Sequence, residues 1–160
     1  MRINAARPGL ALALSMLAFA ATSVTQDSGL VLKGDQASAV ACLWSISTGE
    51  AYYSTQYKMG WSPTLASLDQ PQGGAKPSAS AAGLVTHSLA SGQTNNYVFT
   101  YKAGKKDASG KISTYTVTAS PVEWHPGLWS FFTDETEIIR GTPENRATTV
   151  SDPPIQYNKK

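Results

Sequence analysis

The residues able to do chemistry are few and scattered. His87 falls in a short helical pattern and His125 in the turn Val122-Glu123-Trp124-His125-Pro126-Gly127, and these are the only two histidines. A transition-metal site needs three or four ligands, and no zinc-type spacing of Cys and His is present, so both read as surface or loop residues. Gly-x-Ser-x-Gly is absent and the lone Cys42 has no histidine near it in sequence, which leaves a serine or cysteine nucleophile without its usual base. Asp107-Ala108-Ser109-Gly110 and Asp134-Glu135-Thr136-Glu137 gather oxygen atoms, but calcium takes six to eight oxygens and neither cluster supplies a full set. The sequence thus names no catalytic, metal or cofactor-binding residue and implies no cofactor. The better lead is aromatic. Trp61 opens a long loop, while Trp124 and Trp129 flank the turn at Pro126-Gly127. Loop tryptophans serve either as contact anchors for a protein or glycan or as local plugs, and these three are the candidate partner contacts.

The elements that must position them follow from periodicity. Asp35 stands where an N-cap is needed, and a helix is expected over 36–57, with Val40, Leu43, Trp44, Ser47, Ala51 and Tyr57 spaced three and four apart along the face meant for the core. Gly49 weakens that helix by about 1 kcal/mol relative to alanine, so it needs docking to survive. Gly60 and Pro63 stop it. A Gly/Pro/Ser-rich loop follows at 69–80, then a second short helix over 81–90 ending at Gly92. From Asn96 the period becomes two: strands are expected at 97–102 and 114–119 joined by a polar hairpin, then at 128–133 and 137–140 about an Asp134-Glu135-Thr136 turn. Helices first and strands afterwards predict an α+β fold: a long N-terminal helix packed on a four-stranded antiparallel sheet, with one short extra helix. The domain is expected at 35–141, followed by an irregular tail at 142–160.

The first residues read as an address. Arg2 and Arg7 precede an apolar run from Leu10 to Ala21, and Ala18-Phe19-Ala20 fits a small-x-small cut site, so residues 1–20 are expected to be a signal peptide and 21–34 a connector. The run is shorter than the roughly 20 apolar residues of a spanning helix. The expected location is periplasmic or extracellular, with membrane association if the leader is retained. The chain has 13 basic and 11 acidic residues; without Arg2 and Arg7 the charge balances, and the remaining Lys and Arg are scattered, which argues against nucleic acid as a partner. With one cysteine no internal disulfide can form, and Cys42 reads as a small apolar helix residue or as one half of an intermolecular bond.

The run Gln36-Ala37-Ser38-Ala39-Val40-Ala41-Cys42-Leu43-Trp44-Ser45-Ile46-Ser47-Thr48-Gly49-Glu50-Ala51-Tyr52-Tyr53 resembles the stretch that follows the transmembrane half of the first helix in type IV pilins and pseudopilins. Later pieces occur in the same order as in that family: Trp61-Ser62-Pro63-Thr64-Leu65, Ala82-Gly83-Leu84-Val85, Tyr97-Val98-Phe99-Thr100-Tyr101, Tyr115-Thr116-Val117-Thr118-Ala119, and Phe131-Phe132-Thr133-Asp134 with Ile138-Ile139-Arg140. The resemblance implies a pilin-like head without enzymatic activity, whose partners are other pilus or type II secretion proteins of the envelope. The N-terminus departs from the family: the acidic residue expected fifth after the glycine cut is Leu14 here, and the apolar run ends at Thr22, too soon for a filament core helix. The expectation is a pilin-like head behind a general export signal. The alternative is a secreted glycan- or ligand-binding module using the loop aromatics.

Overall fold

The structure, a computed structural model, describes residues 30–156. The signal peptide expected at 1–20 and residues 21–29 of the connector lie outside the described residues.

Helix α1 spans Asp35–Tyr57, and a single turn of helix, α2, spans His87–Ala90. Five strands follow: β1 (Gln93–Thr94), β2 (Tyr97–Ala103), β3 (Tyr115–Pro121), β4 (Ser130–Asp134) and β5 (Arg140–Thr142), paired antiparallel in chain order. Helix α1 lies across β3 and β4. Ala39, Val40, Leu43 and Ile46 of the helix meet Tyr97, Phe99, Tyr115, Val117, Ala119 and Phe131 of the sheet in one core. Alternation puts the odd-numbered residues of β2 and β3 under the helix and Thr100, Thr116 and Thr118 on the far face.

This corrects the expected four-stranded sheet beneath a long N-terminal helix with a short extra helix. The sheet has five strands, and α1 is the only helix of seven or more residues among the described residues, with a short 3-10 helix at Leu65–Leu68. The additional strand, β1, exists because Asn95 and Asn96 both take left-handed φ, 51° and 57°, and close a two-residue hairpin in which Thr94 faces Tyr97; asparagine adopts that conformation at low cost. The helix expected over 81–90 shrinks to one turn because the chain before it spends its amides elsewhere: those of Ala82, Gly83, Leu84 and Val85 donate to carbonyls of Ser67, Asp69 and Leu68 at 2.7–3.0 Å. The strand expected at 137–140 is displaced to Arg140–Thr142, because Glu137 takes a left-handed φ of 60° in the turn whose Asp134 carboxylate accepts from the Thr136 amide at 3.0 Å. Asp35 is the first helical residue, not the cap; Gly34 is the cap, and the Asp35 carboxylate accepts from Asn96 Nδ2 at 2.7 Å.

The segment after β5 is folded onto the sheet. The Gly141 amide donates to Pro153 O at 3.3 Å and the Ile155 amide to Ile139 O at 2.9 Å, so residues 153–155 cover the outer edge of β5. Residues 147–150 lie over the far face beside Phe132, which explains why all five β4 residues are buried on both sides of the sheet. Asp152 ties this segment together, accepting from both terminal nitrogens of Arg146 and from the Thr149 amide at 2.7 Å. The covered edge leaves no long open strand on that side, and at the other side β1 is only two residues long.

Candidate interaction surface

Three kinds of feature could act on another molecule: the loop tryptophans, a buried carboxylate and the outward face of α1. Trp61 donates its Nε1 to Ser113 O at 3.0 Å and sets its ring edge-on to Tyr115, with centroids 5.2 Å apart. Trp129 is partly buried against the core, and its carbonyl accepts from Tyr97 Oη at 2.8 Å. These two contact opposite ends of the sheet. Trp61 meets the Tyr101–Tyr115 end, where those rings stack 5.8 Å apart, while Trp129 meets the Tyr97 end, about 13 Å away at strand rise from Tyr97 to Tyr101. Trp124 is half-buried, and its Nε1 is buried without a hydrogen-bond partner. The three do not form one stacking platform.

Glu50 stands in the run 36–53 with no role marked by its spacing alone. Its side chain is buried on α1, 0% exposed, and its carboxylate accepts from the Ser62 amide at 2.7 Å and the Ser62 hydroxyl. Tyr101 Oη donates to Ser62 O at 2.8 Å, so a polar network joins the helix, the chain after it and β2, and beside it Tyr115 Oη of β3 donates to Ser47 Oγ at 3.4 Å while its ring stacks on Tyr101. Burial raises the Glu50 pKa, and the Ser62 hydrogen bonds oppose that rise. Burial and the neighbouring carboxylate push Tyr101 well above its ordinary value, and burial pushes Tyr115 up to about 12. Gly60 makes the network possible: its φ is +74°, and a Cβ there would lie 2.0 Å from Ile112 O, where the Trp61 amide donates at 2.9 Å. This assembly is a clamp holding the C-terminal half of α1 to the sheet. The sequence signal available was a glutamate at the helical spacing of Leu43, Ile46 and Tyr53, all of which are buried.

Several other titratable groups are engaged locally. Asp69 Oδ2 lies 2.7 Å from His87 Nδ1, and that contact lowers the Asp69 pKa. Asp107 accepts from the amides of Ser109 and Lys111 at 2.8 and 2.9 Å, an Asx-type turn that accounts for its oxygen without a cation. Cys42 is half-buried, with Asn95 Nδ2 at 3.9 Å, and burial raises its pKa. His125 sits on an open pocket of about 400 Å³ with Asp35, Asn96 and Glu123. Among the described residues no group of three or more His, Cys, Asp and Glu side chains is placed to hold a metal ion.

The outward face of α1 is different in kind. Trp44, expected in the core from its spacing, is 47% exposed, and Tyr52 is 64% exposed. The reason is angular. The sheet contacts run through Val40, Leu43, Ile46, Glu50 and Tyr53, and at 100° per residue Trp44 is turned away from that line. Between Asp35 and Lys58 the one other charged residue is the buried Glu50, so the exposed helix surface carries no charge. Beside it runs an open groove of about 650 Å³ lined by Ala41, Trp44, Ser45, Thr48, Tyr52 and Leu84. Gly49 forms part of its floor, and its missing Cβ lets the helix approach Leu84, with 3.4 Å between the two Cβ positions.

The described residues thus form an α+β domain of one helix on an antiparallel meander, with an aromatic, uncharged helix face turned outward. No protein-family model, curated protein or solved structure matches the chain. No helix among the described residues is long and apolar enough to cross a membrane.

Proposed function

We propose that this chain is a non-enzymatic protein-interaction module of the bacterial cell envelope, related to type IV pilins and pseudopilins and working with a type IV pilus or type II secretion assembly, and that it docks through the outward face of α1. The observation that carries the reading is the pair Trp44 and Tyr52, exposed by 47% and 64% on a helix surface without charge. Large aromatics cost free energy when left in water, and interfaces are enriched in them and depleted of charge at their centres. The resemblance of the ordered sequence motifs to pilin-like proteins and the leader-like first residues support an envelope location on this reading. The covered β5 edge and the two-residue β1 direct docking to the helix rather than to strand addition.

The test is cross-linking in the cells that make the protein, with cell fractionation and the mass of the mature N-terminus measured alongside. A cut near Ala20 and envelope adducts that disappear in Trp44→Glu are the expected result. Protein retained in the cytoplasm, or adducts indifferent to Trp44, would overturn the reading. One observation favours the glycan- or ligand-binding alternative: the Asp35, Asn96, Glu123 and His125 pocket is lined by the chain neighbours of Trp124, whose Nε1 has no partner. A change in tryptophan fluorescence on titration with a sugar panel, lost in Trp124→Phe, would select that alternative.

A further inference from the structure

We infer that residues 143–152 form a hinged cover that swings off the far face of the sheet as one piece, switching Phe132 between hidden and displayed. The inference does not depend on α1, which packs on the opposite face. The two ends of the segment meet where the Gly141 amide donates to Pro153 O at 3.3 Å, and the loop between them is closed on itself. Arg146 donates to the Glu144 carboxylate, to Ala147 O and to both carboxylate oxygens of Asp152. The Asp152 carboxylate also accepts from the Thr149 amide and hydroxyl, and the Asp152 amide donates to Thr149 O at 3.1 Å. Among the described residues, no hydrogen bond joins any residue from Asn145 to Ser151 to the sheet. The links to β5 sit at the two ends: the Glu144 amide donates to Thr142 Oγ1 at 3.3 Å, and Arg140 Nη1 to Asp152 O at 2.9 Å. The loop is therefore a self-braced piece attached at its ends.

Little holds it down between them. Pro143, Ala147 and Val150 are all exposed, and the loop's buried side chains, Thr148 and Asp152, are both polar. The loop nevertheless hides Phe132, which is 6% exposed beneath residues 147–150. Closure also strips water from two polar atoms without replacing it. Thr148 is 1% exposed and its Oγ1 has no hydrogen-bond partner, and Arg140, opposite Phe132 on the same face, has its Nε buried without one. A buried donor or acceptor left unpaired carries its full desolvation cost, so the two orphaned atoms oppose what burial of the ring contributes. Opening returns both to water. The register sets what opening displays: Thr100 stands opposite Thr118, and Thr118 opposite Phe132, so the ring joins a row of hydroxyls on the floor of an open groove of about 700 Å³. An aromatic ring flanked by hydroxyls is a contact surface that the closed form withholds.

The experiment is thiol labelling of the full chain under native conditions in a Cys42→Ser background. Thr148→Cys puts a thiol on the underside of the cover, Phe132→Cys puts one on the sheet beneath it, and Val117→Cys, at a position 0% exposed in the helix-side core, reports global unfolding. The opening constant at position 148 is expected to exceed that at 117 by at least about a hundredfold and to depend little on urea, because a swinging cover exposes little surface. Amide exchange of the same protein separates a swing from fraying. The Thr149 and Asp152 amides are bonded inside the loop and are expected to open at least about tenfold less than the thiol at 148. Labelling at 148 as slow as at 117 overturns the inference. Equal opening of the thiol and the two amides overturns it as well, since the loop would then unravel rather than swing. Circular dichroism checks that each variant folds, and Phe132→Cys, expected to label as position 148 does, carries the same test if Thr148→Cys does not fold.

Discussion

Replacing Glu50 with alanine removes the acceptor of the Ser62 amide and hydroxyl in a site that is 0% exposed. The amide has no other acceptor in the structure, so the loss includes one orphaned buried donor, about 1–3 kcal/mol. The deleted carboxyl-bearing carbons leave space beneath Tyr101 and Tyr115, which adds to that loss. For a domain of this size 1 kcal/mol moves the melting temperature by roughly 3–6 °C, so Glu50→Ala is expected to melt on the order of 5–15 °C lower. Glu50→Gln keeps the acceptor oxygen and discards the charge, which separates the hydrogen bond from the electrostatics. Because burial raises the folded pKa of Glu50 above its unfolded value, the folded chain holds the extra proton between the two. Stability from this group therefore falls as pH rises from the ordinary carboxylate value near about 4.3 through the raised value, and is flat above it. Relative to the parent, Glu50→Gln should thus gain stability with rising pH across that window and show no pH-dependent difference outside it. Thermal denaturation by circular dichroism from pH 3 to pH 9 measures all three chains. A Glu50→Ala melting temperature within 2 °C of the parent would refute the clamp, and a Glu50→Gln variant that loses stability relative to the parent as pH rises would refute burial as the larger influence on the Glu50 carboxyl.

Two further outcomes test other parts of the fold. Leu43 is 0% exposed at the centre of the helix–sheet contact, so Leu43→Ala should cost about 2–5 kcal/mol in urea unfolding with an unchanged m-value; a negligible loss would mean the helix docks by another face. Hydrogen bonds from Arg146 and Thr149 depress the Asp152 pKa, so its stabilising contribution is present above the ordinary aspartate value and is lost as pH falls through the depressed one. Asp152→Asn should therefore speed amide exchange across 143–156 at neutral pH while leaving α1 protected, and exchange of the parent segment should rise in strong acid; uniform protection in both would contradict the tie.

Local chemistry was readable where neighbouring residues decide it. The Asp134 carboxylate turns back onto the Thr136 amide two residues on, whereas the helix expected to stop at Gly60 already ends at Tyr57, with Lys58 taking the left-handed cap at φ 56°. The period-two stretches expected at 97–102 and 114–119 fall in the strands Tyr97–Ala103 and Tyr115–Pro121, give or take a residue or two at their ends, because their alternating residues meet a core on one side. The strand count was not readable, since β1 depends on two consecutive left-handed asparagines and on a partner strand to complete it. Nor was the length of α2, because the carbonyls that capture the amides of Ala82 to Val85 belong to residues 67–69.

For the candidate surface the division is sharper. Composition and spacing determined that the chain lacks the familiar arrangements for metal and nucleophilic chemistry and that its aromatics are its distinctive resource. Only tertiary structure decided which aromatic faces water. Trp44 fits an apolar stripe by spacing, yet the sheet meets the helix along Leu43, Ile46 and Tyr53 and leaves Trp44 and Tyr52 outside, whereas Trp61, which spacing leaves in a loop, plugs against Tyr115. A helical stripe read from sequence spans a broad arc, and the line along which it docks is set by the shape of the sheet beneath it, which residues distant in the chain must build.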